Sequence, residues 1–314
     1  MLPRTGASPL SFSDDREHSS VAQRLEEDAR YAATFIVLHD AWRVHPLAWI
    51  HRSEAGRIAR ELRGTGQAVR RGAFRRSAVA DLGAGRCILR LSDPVMFRAA
   101  EALSSARVPY IGPGFEAMKR CYDKYAASRL VAAAGFTCPQ TELGTEAEHI
   151  DFPAVLKPRW GSDSIGVRRY MHAPVPAGKR NERHIVQRYI RGAEITVGVL
   201  NGEAGTPLHI HIPDDALYTF VRKYVLRPRI EPVTEQPIAA RVRVEALRIA
   251  ATLGVDWAAR IDFIHEPRTD MLYFLECDVA PLLGPGSAFA TSLRAAGVAR
   301  SDQLKRLFLT NHQR

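Results

Sequence analysis

The sequence predicts an α/β fold, and two observations carry the prediction. From Thr34 to Gly112, short apolar runs alternate with helical patterns, as in a parallel sheet whose strands are joined by crossover helices. The 314 residues, 46% of them hydrophobic and 25% charged, suffice for two or three domains of ordinary globular composition.

The elements follow in order. "TFIVLHD" (Thr34 to Asp40) reads as a first buried strand, and "SEAGRIARELRG" as a helix with Ser53 as N-cap and Gly64 as its stop. "CILRLSD" is a second strand, followed by the helix "PVMFRAAEALSSA" and the short strand "VPYIG", so the first unit ends near Gly112 to Gly114. "MKRCYDKYAASRLVAAAGFTCP" predicts one strong helix closed by Gly135. The strand "FPAVLKP", the Gly/Ser loop "RWGSDSIGV" and the strands "VRRYM" and "HIVQRYI" come next. "RGAEITVGVLNG" is strand-like with a turn at Asn201-Gly202, and "LHIHIPD" alternates like a strand. "AARVRVEALRIAATLG" is a long amphipathic helix, "WAARIDFIHEPRTDMLYFLECD" a hairpin, and the tail from Ser287 helical. No internal repeat or low-complexity block interrupts the series.

Composition removes several function classes. No run of eighteen apolar residues occurs, so no membrane span or membrane partner is expected. The N-terminus is polar, lacks a signal-peptide apolar core, and reads as a loose arm. The four cysteines form no C-x-x-C pair, which suggests neither a zinc site nor a disulfide framework and fits a reducing cytoplasm. The net charge of +10 fits either a polyanionic partner or an Arg-rich surface. The basic residues are scattered and no nucleic-acid-binding motif accompanies them, which favours the surface. Only six of the 44 basic residues are lysine: Lys119, Lys124, Lys157, Lys179, Lys223 and Lys305. Lysine is a compact point charge, so a chain this rich in arginine has reason to keep it where a phosphate oxygen must fit.

The stretch "LYFLECDVAP" carries the chemistry. Glu276 and Asp278 are two residues apart, so a strand turns them to one face. Asp262 on the partner strand can join them, with Arg260 on its own face. Three carboxylates together either hold a hard cation such as magnesium or are solvated strand-end acids paired with arginines. The loop after Lys157 offers Gly161, Ser162, Ser164 and Gly166, either as backbone and hydroxyl donors to phosphate or only as a hairpin. It is not a P-loop.

Taken in order, these pieces resemble the ATP-grasp ligases, and most closely the D-alanine–D-alanine ligases, over about residues 108 to 314. The matching segments are "PYIGPGFEAMKRCYDKYAASRLVAAAGFTCP", "FPAVLKPRWGSDSIGV", "HIVQRYIRGAEITVGVL", "YTFVRKY" and "ARIDFI…YFLECDVAP". The resemblance implies an α+β ATP-grasp fold in three domains. These are an N-terminal arm with a parallel-sheet pre-ATP-grasp domain (1–112), a central ATP-binding lobe (113–187) and a C-terminal lobe with metal and acceptor sites (188–314). It implies that Lys124, Lys157 and Ser162 contact phosphates, that Gln187, Arg188 and Ile190 hold adenine, and that Glu194 holds the ribose hydroxyls. Asp262, Glu276 and Asp278 are expected to hold two magnesium ions, with manganese as a substitute. Arg260, Lys223 and Ser164 are expected to be catalytic. The implied reaction is ADP-forming amide synthesis: a carboxylate attacks the γ-phosphate of ATP, and an amine displaces phosphate from the acyl phosphate. The partners are small carboxylates and amines, and the family allows a homodimer.

Departures from the family concern the substrates. Asp278 stands for the usual Asn, Leu282 for the usual Gly after Pro281, and Gln187 for a common acid; Ser287 matches an acceptor-carboxylate position. The first domain has "LHDAWRVHP" in place of a Ser-x-Glu-His segment that grips the first D-alanine. Asp40 and Tyr224 are therefore expected to touch substrate, with Arg43 available for a second carboxylate. The expectation is a ligase of amino-acid-like substrates other than D-alanine, in specialised metabolism. The alternatives are an intramolecular cyclo-ligase of the cycloserine-forming type and a non-catalytic ATP-binding module.

Overall fold

The structure, a computed structural model, describes residues 34–41, 48–82, 85–147, 150, 152–161, 164–171, 175–212 and 228–310. Ser162, Arg43, Lys223, Tyr224 and the N-terminal arm lie outside the described residues.

The first sheet is parallel, as the alternation predicts. It holds β1 (Phe35–His39), β2 (Val69–Ala73), β3 (Arg86–Arg90) and β4 (Tyr110–Ile111) in the order β2-β1-β3-β4. Every residue of β1 is buried, as a strand covered on both faces requires. The polar strand β2, "VRRGA", carries no apolar pattern and escaped the sequence reading. It pairs through its backbone with β1 at the sheet edge, Phe35 opposite Val69. Helix α1 (Ala48–Gly64) begins five residues before the expected cap, so Ser53 lies in its second turn. The buried stripe Ala48, Ile50, Glu54, Ile58 and Leu62 explains the earlier start, because the helical period already runs through Ala48.

Asp40 has a different part from the one expected. It is 0% exposed, and its two carboxylate oxygens accept the Ser92 backbone N–H and the Ser92 hydroxyl, both at 2.8 Å. It ties the end of β1 to the start of α2 (Asp93–Ser105), fully buried and outside the lining of both cavities.

The long helix expected from Met118 is two helices, α3 (Phe115–Tyr122) and α4 (Lys124–Ala133). Asp123 separates them with extended backbone (φ −85°, ψ 98°) and accepts the N–H groups of Tyr125 and Ala126. Arg159 also clamps its carboxylate through three contacts of 2.6 to 3.0 Å. A capping carboxylate held by a distant arginine thus overrides a continuous helical period.

The second sheet is antiparallel, with β5 (Thr141–Leu143), β6 (Ala154–Pro158), β7 (Arg168–Tyr170) and β8 (His184–Arg188) in the order β5-β8-β6-β7. The expected boundary between residues 187 and 188 falls inside β8, so that strand as a whole closes the unit. The third sheet holds β9 (Ala193–Leu200), β10 (Glu203–Ala204), β11 (Leu208–Ile210), β12 (Ile230–Pro232), β13 (Ala258–Glu266) and β14 (Met271–Asp278). Its order is β12-β11-β9-β13-β14, with β10 paired to β9. Asn201 and Gly202 both have positive φ (51° and 79°), the conformation that a tight two-residue hairpin needs. Helix α5 (Gln236–Leu253) is the predicted amphipathic helix, and α6 (Ala288–Ala295) and α7 (Arg300–Leu304) form the tail. None of the described helices is long and apolar enough to cross a membrane.

The first and third sheets share their cores. Leu38, Leu89 and Met96 pack in one cluster with Val197, Ile261 and Phe263. On the other face Phe35, Ile58 and Leu62 pack with Trp257, Phe289 and Phe308. The first sheet is therefore joined to the third through a common apolar core. Asp40→Ala orphans two buried donors on Ser92 and is expected to lower stability by about 1–3 kcal/mol. The check is a thermal or urea melt, with substrate KM values of the folded fraction unchanged.

Candidate active site

The hairpin sets the charges first. Asp262 on β13 lies directly opposite Glu276 on β14, and Arg260 opposite Asp278, so all four share one face. The cation among the acids is Arg260. Its Nε and Nη2 donate to the two oxygens of Asp262 at 3.0 Å each, and Nη2 lies 3.6 Å from Asp278. Burial opposes the guanidinium charge, but Asp262, Asp278 and Glu276 outweigh it and hold the group well above the ordinary arginine range. Burial pushes the Asp278 carboxyl up, against the pull of Arg260 and the Ala280 N–H. Thr196 donates its hydroxyl to Asp262 at 2.6 Å. Among the described residues no three His, Cys, Asp or Glu side chains are gathered closely enough to hold a metal ion. Cys277, between the two acids, turns into the core at 4% exposure against Cys121, which with burial pushes its thiol well above the usual range.

The pairing slips between Asp262 and Phe263, because Phe263 faces Phe274 while Asp262 faces Glu276. Leu275 is thus an extra residue in β14, a β-bulge. Strict alternation turns Leu275 and Glu276 to opposite faces, yet both line the same cavity. The apolar-to-acidic change "YFL-ECD" marks the place in the sequence but not the bulge.

That cavity, of about 110 Å³, lies between the second and third sheets. Lys124, Lys157, Ser164, Gln187, Arg188, Ile190, Glu194, Asp262 and Glu276 all line it. Lys157 donates to Gln187 Oε1 at 2.7 Å, and the Gln187 amide donates to the Thr141 hydroxyl at 2.9 Å. The amide therefore orients the ammonium, where a carboxylate would neutralise it. Lys124 donates to the Gly161 carbonyl, and Ser164 holds a positive φ of 57° in the same loop. Val155, Ile264 and Leu275 add apolar walls. Two ammonium groups, apolar walls and the Glu194 carboxylate suit a ligand with phosphates, a flat ring and hydroxyls.

A second cavity, of about 660 Å³, adjoins the first and shares Lys124, Gly161 and Glu276 with it; the two are ends of one cleft. Arg260, Asp278 and Ser287 line this larger end. The Ser287 hydroxyl accepts the Ala290 N–H at 3.1 Å and caps α6, so it is both cap and cavity wall.

Sequence reasoning missed Glu54 and Arg90. Glu54 Oε2 accepts Arg90 Nε at 2.9 Å and also Arg90 Nη2. Glu54 Oε1 accepts the backbone N–H groups of Leu283 and Gly284. Arg90 Nη2 donates to the Pro281 carbonyl at 2.8 Å, and Arg300 donates to the Leu283 carbonyl at 2.8 Å. The loop after the acidic hairpin is thus gripped by side chains of the first sheet and α1. The available signal was a glutamate inside the apolar stripe of α1, four residues from both Ile50 and Ile58.

With this geometry in view, known proteins give the class. The model of the D-Ala D-Ala ligase C-terminus family matches residues 130–309. D-alanine–D-alanine ligase of Syntrophotalea carbinolica is 28% identical over 223 residues, covering 65% of this chain and 71% of the relative. That of Gluconobacter oxydans is 30% identical over 208 residues, covering 61% and 68%. The crystal structure of Bacillus anthracis D-alanine–D-alanine ligase complexed with ATP has a TM-score of 0.72 at 17% identity, over 88% of this chain and 96% of its own. VanG D-Ala:D-Ser ligase of Enterococcus faecalis scores 0.71 at 16% identity, over 87% and 98%. The chain belongs to the D-alanine–D-alanine ligase family and has its ATP-grasp fold. It is an ATP-dependent ligase that forms carbon–nitrogen bonds.

Glu54→Gln removes the charge that compensates buried Arg90, and breaking such a pair costs roughly 3–5 kcal/mol. A urea melt is expected to show that loss; a midpoint within error of wild type would mean that the ion pair does not hold the loop.

Proposed function

We propose that the protein joins the carboxylate of one small amino-acid-like molecule to the amine of another, through an acyl phosphate, and that D-alanine is not its donor. The observation that supports the reading is the single cleft: Lys124, Lys157, Gln187, Arg188, Ile190 and Glu194 line one end, and the acidic hairpin passes into the larger end. The domain division at about residues 112 and 188 belongs to the same reading, with the ATP end between the last two sheets.

In this scheme a substrate carboxylate oxygen attacks the γ-phosphorus of ATP and the bond to the β-phosphate oxygen breaks, releasing ADP. The amine then attacks the acyl carbon, phosphate leaves with the bonding pair, and the nitrogen gives up a proton. Phosphoryl transfer of this kind asks chiefly for positioning and positive charge. Lys124, Lys157 and Ser162 hold phosphate oxygens; Gln187, Arg188 and Ile190 hold adenine; Glu194 takes the ribose hydroxyls. Arg260, Lys223 and Ser164 stabilise charge on the transferring group and on the tetrahedral intermediate. Tyr224 and Ser287 face the amine substrate. Asp262, Glu276 and Asp278 do not form a closed cluster of three, but they offer oxygen donors of the kind magnesium or manganese takes, and such an ion would draw its other ligands from phosphate and water and neutralise phosphate charge. Against D-alanine as donor stand the absence of the Ser-x-Glu-His segment and the burial of His39 and Asp40.

The test is ADP release in a screen of carboxylate–amine pairs. Release is expected to need magnesium and both partners, and D-alanine alone should give none; efficient D-alanyl-D-alanine synthesis refutes the substrate reading. Glu276→Gln is expected to lower turnover by orders of magnitude with little change in thermal midpoint, and near-normal turnover would remove these acids from the metal role. Lys157→Arg places a planar fork where Gln187 orients a point charge. Calorimetry should show ATP affinity at least tenfold weaker, about 1.4 kcal/mol.

A further inference from the structure

Helix α1 sends Trp49, Ser53 and Arg57 into the larger end of the cleft. Four-residue spacing puts them in one row on the helix face, beside the buried stripe, of which Ile50 and Glu54 line the same cavity. Trp49 is 60% exposed and offers a large apolar surface to the cleft. Met96, Phe97 and Met118 continue the apolar wall beside it.

Arg57 ends the row against the loop that leads to Ser287. An added Cβ at Gly284 would come within 2.2 Å of Arg57 Nη1, so the guanidinium lies directly against the backbone of this loop. Nearby arginines have acceptors: Arg63 uses the Val69 carbonyl, Arg90 uses Glu54, and Arg300 uses Glu61. Among the described residues no carboxylate pairs with Arg57. A guanidinium without an anion in a cleft wall matches a ligand carboxylate, which its planar fork binds through two parallel hydrogen bonds.

We propose that Arg57 and Trp49 form the recognition site for the amine substrate, which carries a non-reacting carboxylate on Arg57 and a bulky apolar or aromatic side chain along Trp49, Met96 and Phe97. This rests on the ligase reading. The carboxylate held by Arg57 is not the reacting one, because the reacting carboxylate must reach the γ-phosphate where Lys124, Gly161 and Glu276 join the two ends of the cleft. It belongs to the amine substrate because Arg57 packs on the loop ending at Ser287, the acceptor side in that reading. Trp49 and Arg57 are eight residues apart, about 12 Å along a helix, so a ligand touching both is larger than alanine. The cavity volume of about 660 Å³ lies in the range that encloses ligands well beyond that size.

The experiment is calorimetry on the full chain preloaded with magnesium and a non-hydrolysable ATP analogue. The titrants are D-alanine and both enantiomers of phenylalanine, homophenylalanine and tryptophan, each with its primary amide. At least one aromatic acid is expected to bind about tenfold or more tighter than D-alanine and than its own amide. Arg57→Gln should erase the acid-over-amide preference while leaving amide binding unchanged. Trp49→Ala should weaken acid and amide alike. Both side chains are exposed, so the variants are expected to keep the wild-type thermal midpoint. Equal binding of acid and amide, a preference surviving in Arg57→Gln, or no aromatic acid binding at all overturns the inference. The ligase reading fails separately, if no carboxylate–amine pair stimulates magnesium-dependent ADP release.

Discussion

Three carboxylates on one face of a partly buried hairpin repel one another, and Arg260 makes the arrangement tolerable. The guanidinium is held so firmly charged because Asp262, Asp278 and Glu276 outweigh the cost of burying it. Removal of Arg260 would leave the three carboxylates uncompensated in a medium of low polarity. The hairpin therefore presents a polarised face to both ends of the cleft: Glu276 belongs to both, Asp262 to the smaller and Asp278 to the larger. On the ligase reading the same face meets phosphate and divalent cation, charges of the signs already in place there.

Position depends on a second ion pair with the opposite character. Glu54 and Arg90 are almost fully buried, at 4% and 0% exposure, and what they hold is backbone. Between them they engage one carbonyl and two N–H groups of the loop from Pro281 to Gly284. Buried ion pairs contribute little net stability but strongly prefer one geometry. Here that geometry fixes the chain leaving the acidic hairpin against the first sheet, while the shared apolar clusters set the two sheets themselves. Leu282, which replaces the family's usual glycine, lines the larger cavity inside the gripped loop, so its side chain has a constrained place there.

The smaller end of the cleft gains its shape from two irregularities. The bulge at Leu275 turns an apolar side chain and an acid to the same cavity. The break at Asp123 starts α4 at Lys124, whose ammonium then reaches the Gly161 carbonyl in the loop after β6. Both interrupt regular structure at a cleft, where such departures concentrate because they re-aim side chains.

Local chemistry alone determined much of this protein. Apolar runs and helical periods located β1, β3, β6, β9, the β13–β14 hairpin, α2 and α5, and two-residue spacing put Glu276 and Asp278 on one face. Scarcity of lysine made all six lysines candidates, and the family resemblance picked out Lys124, Lys157 and Lys223, of which the first two line the same cavity. Tertiary structure decided what depends on distant partners. Edge strand β2 exists because β1 offers its backbone. Asp40 is an anchor because Ser92, fifty-two residues away, takes its carboxylate. Asp123 splits a helix because Arg159 and the following N–H groups hold it. Glu54 serves the loop after the hairpin because the first and third sheets share a core that brings residues 229 positions apart into contact. Spacing along a chain reports which side chains share a face; which charge meets which across the fold is settled only when the packed elements bring them together.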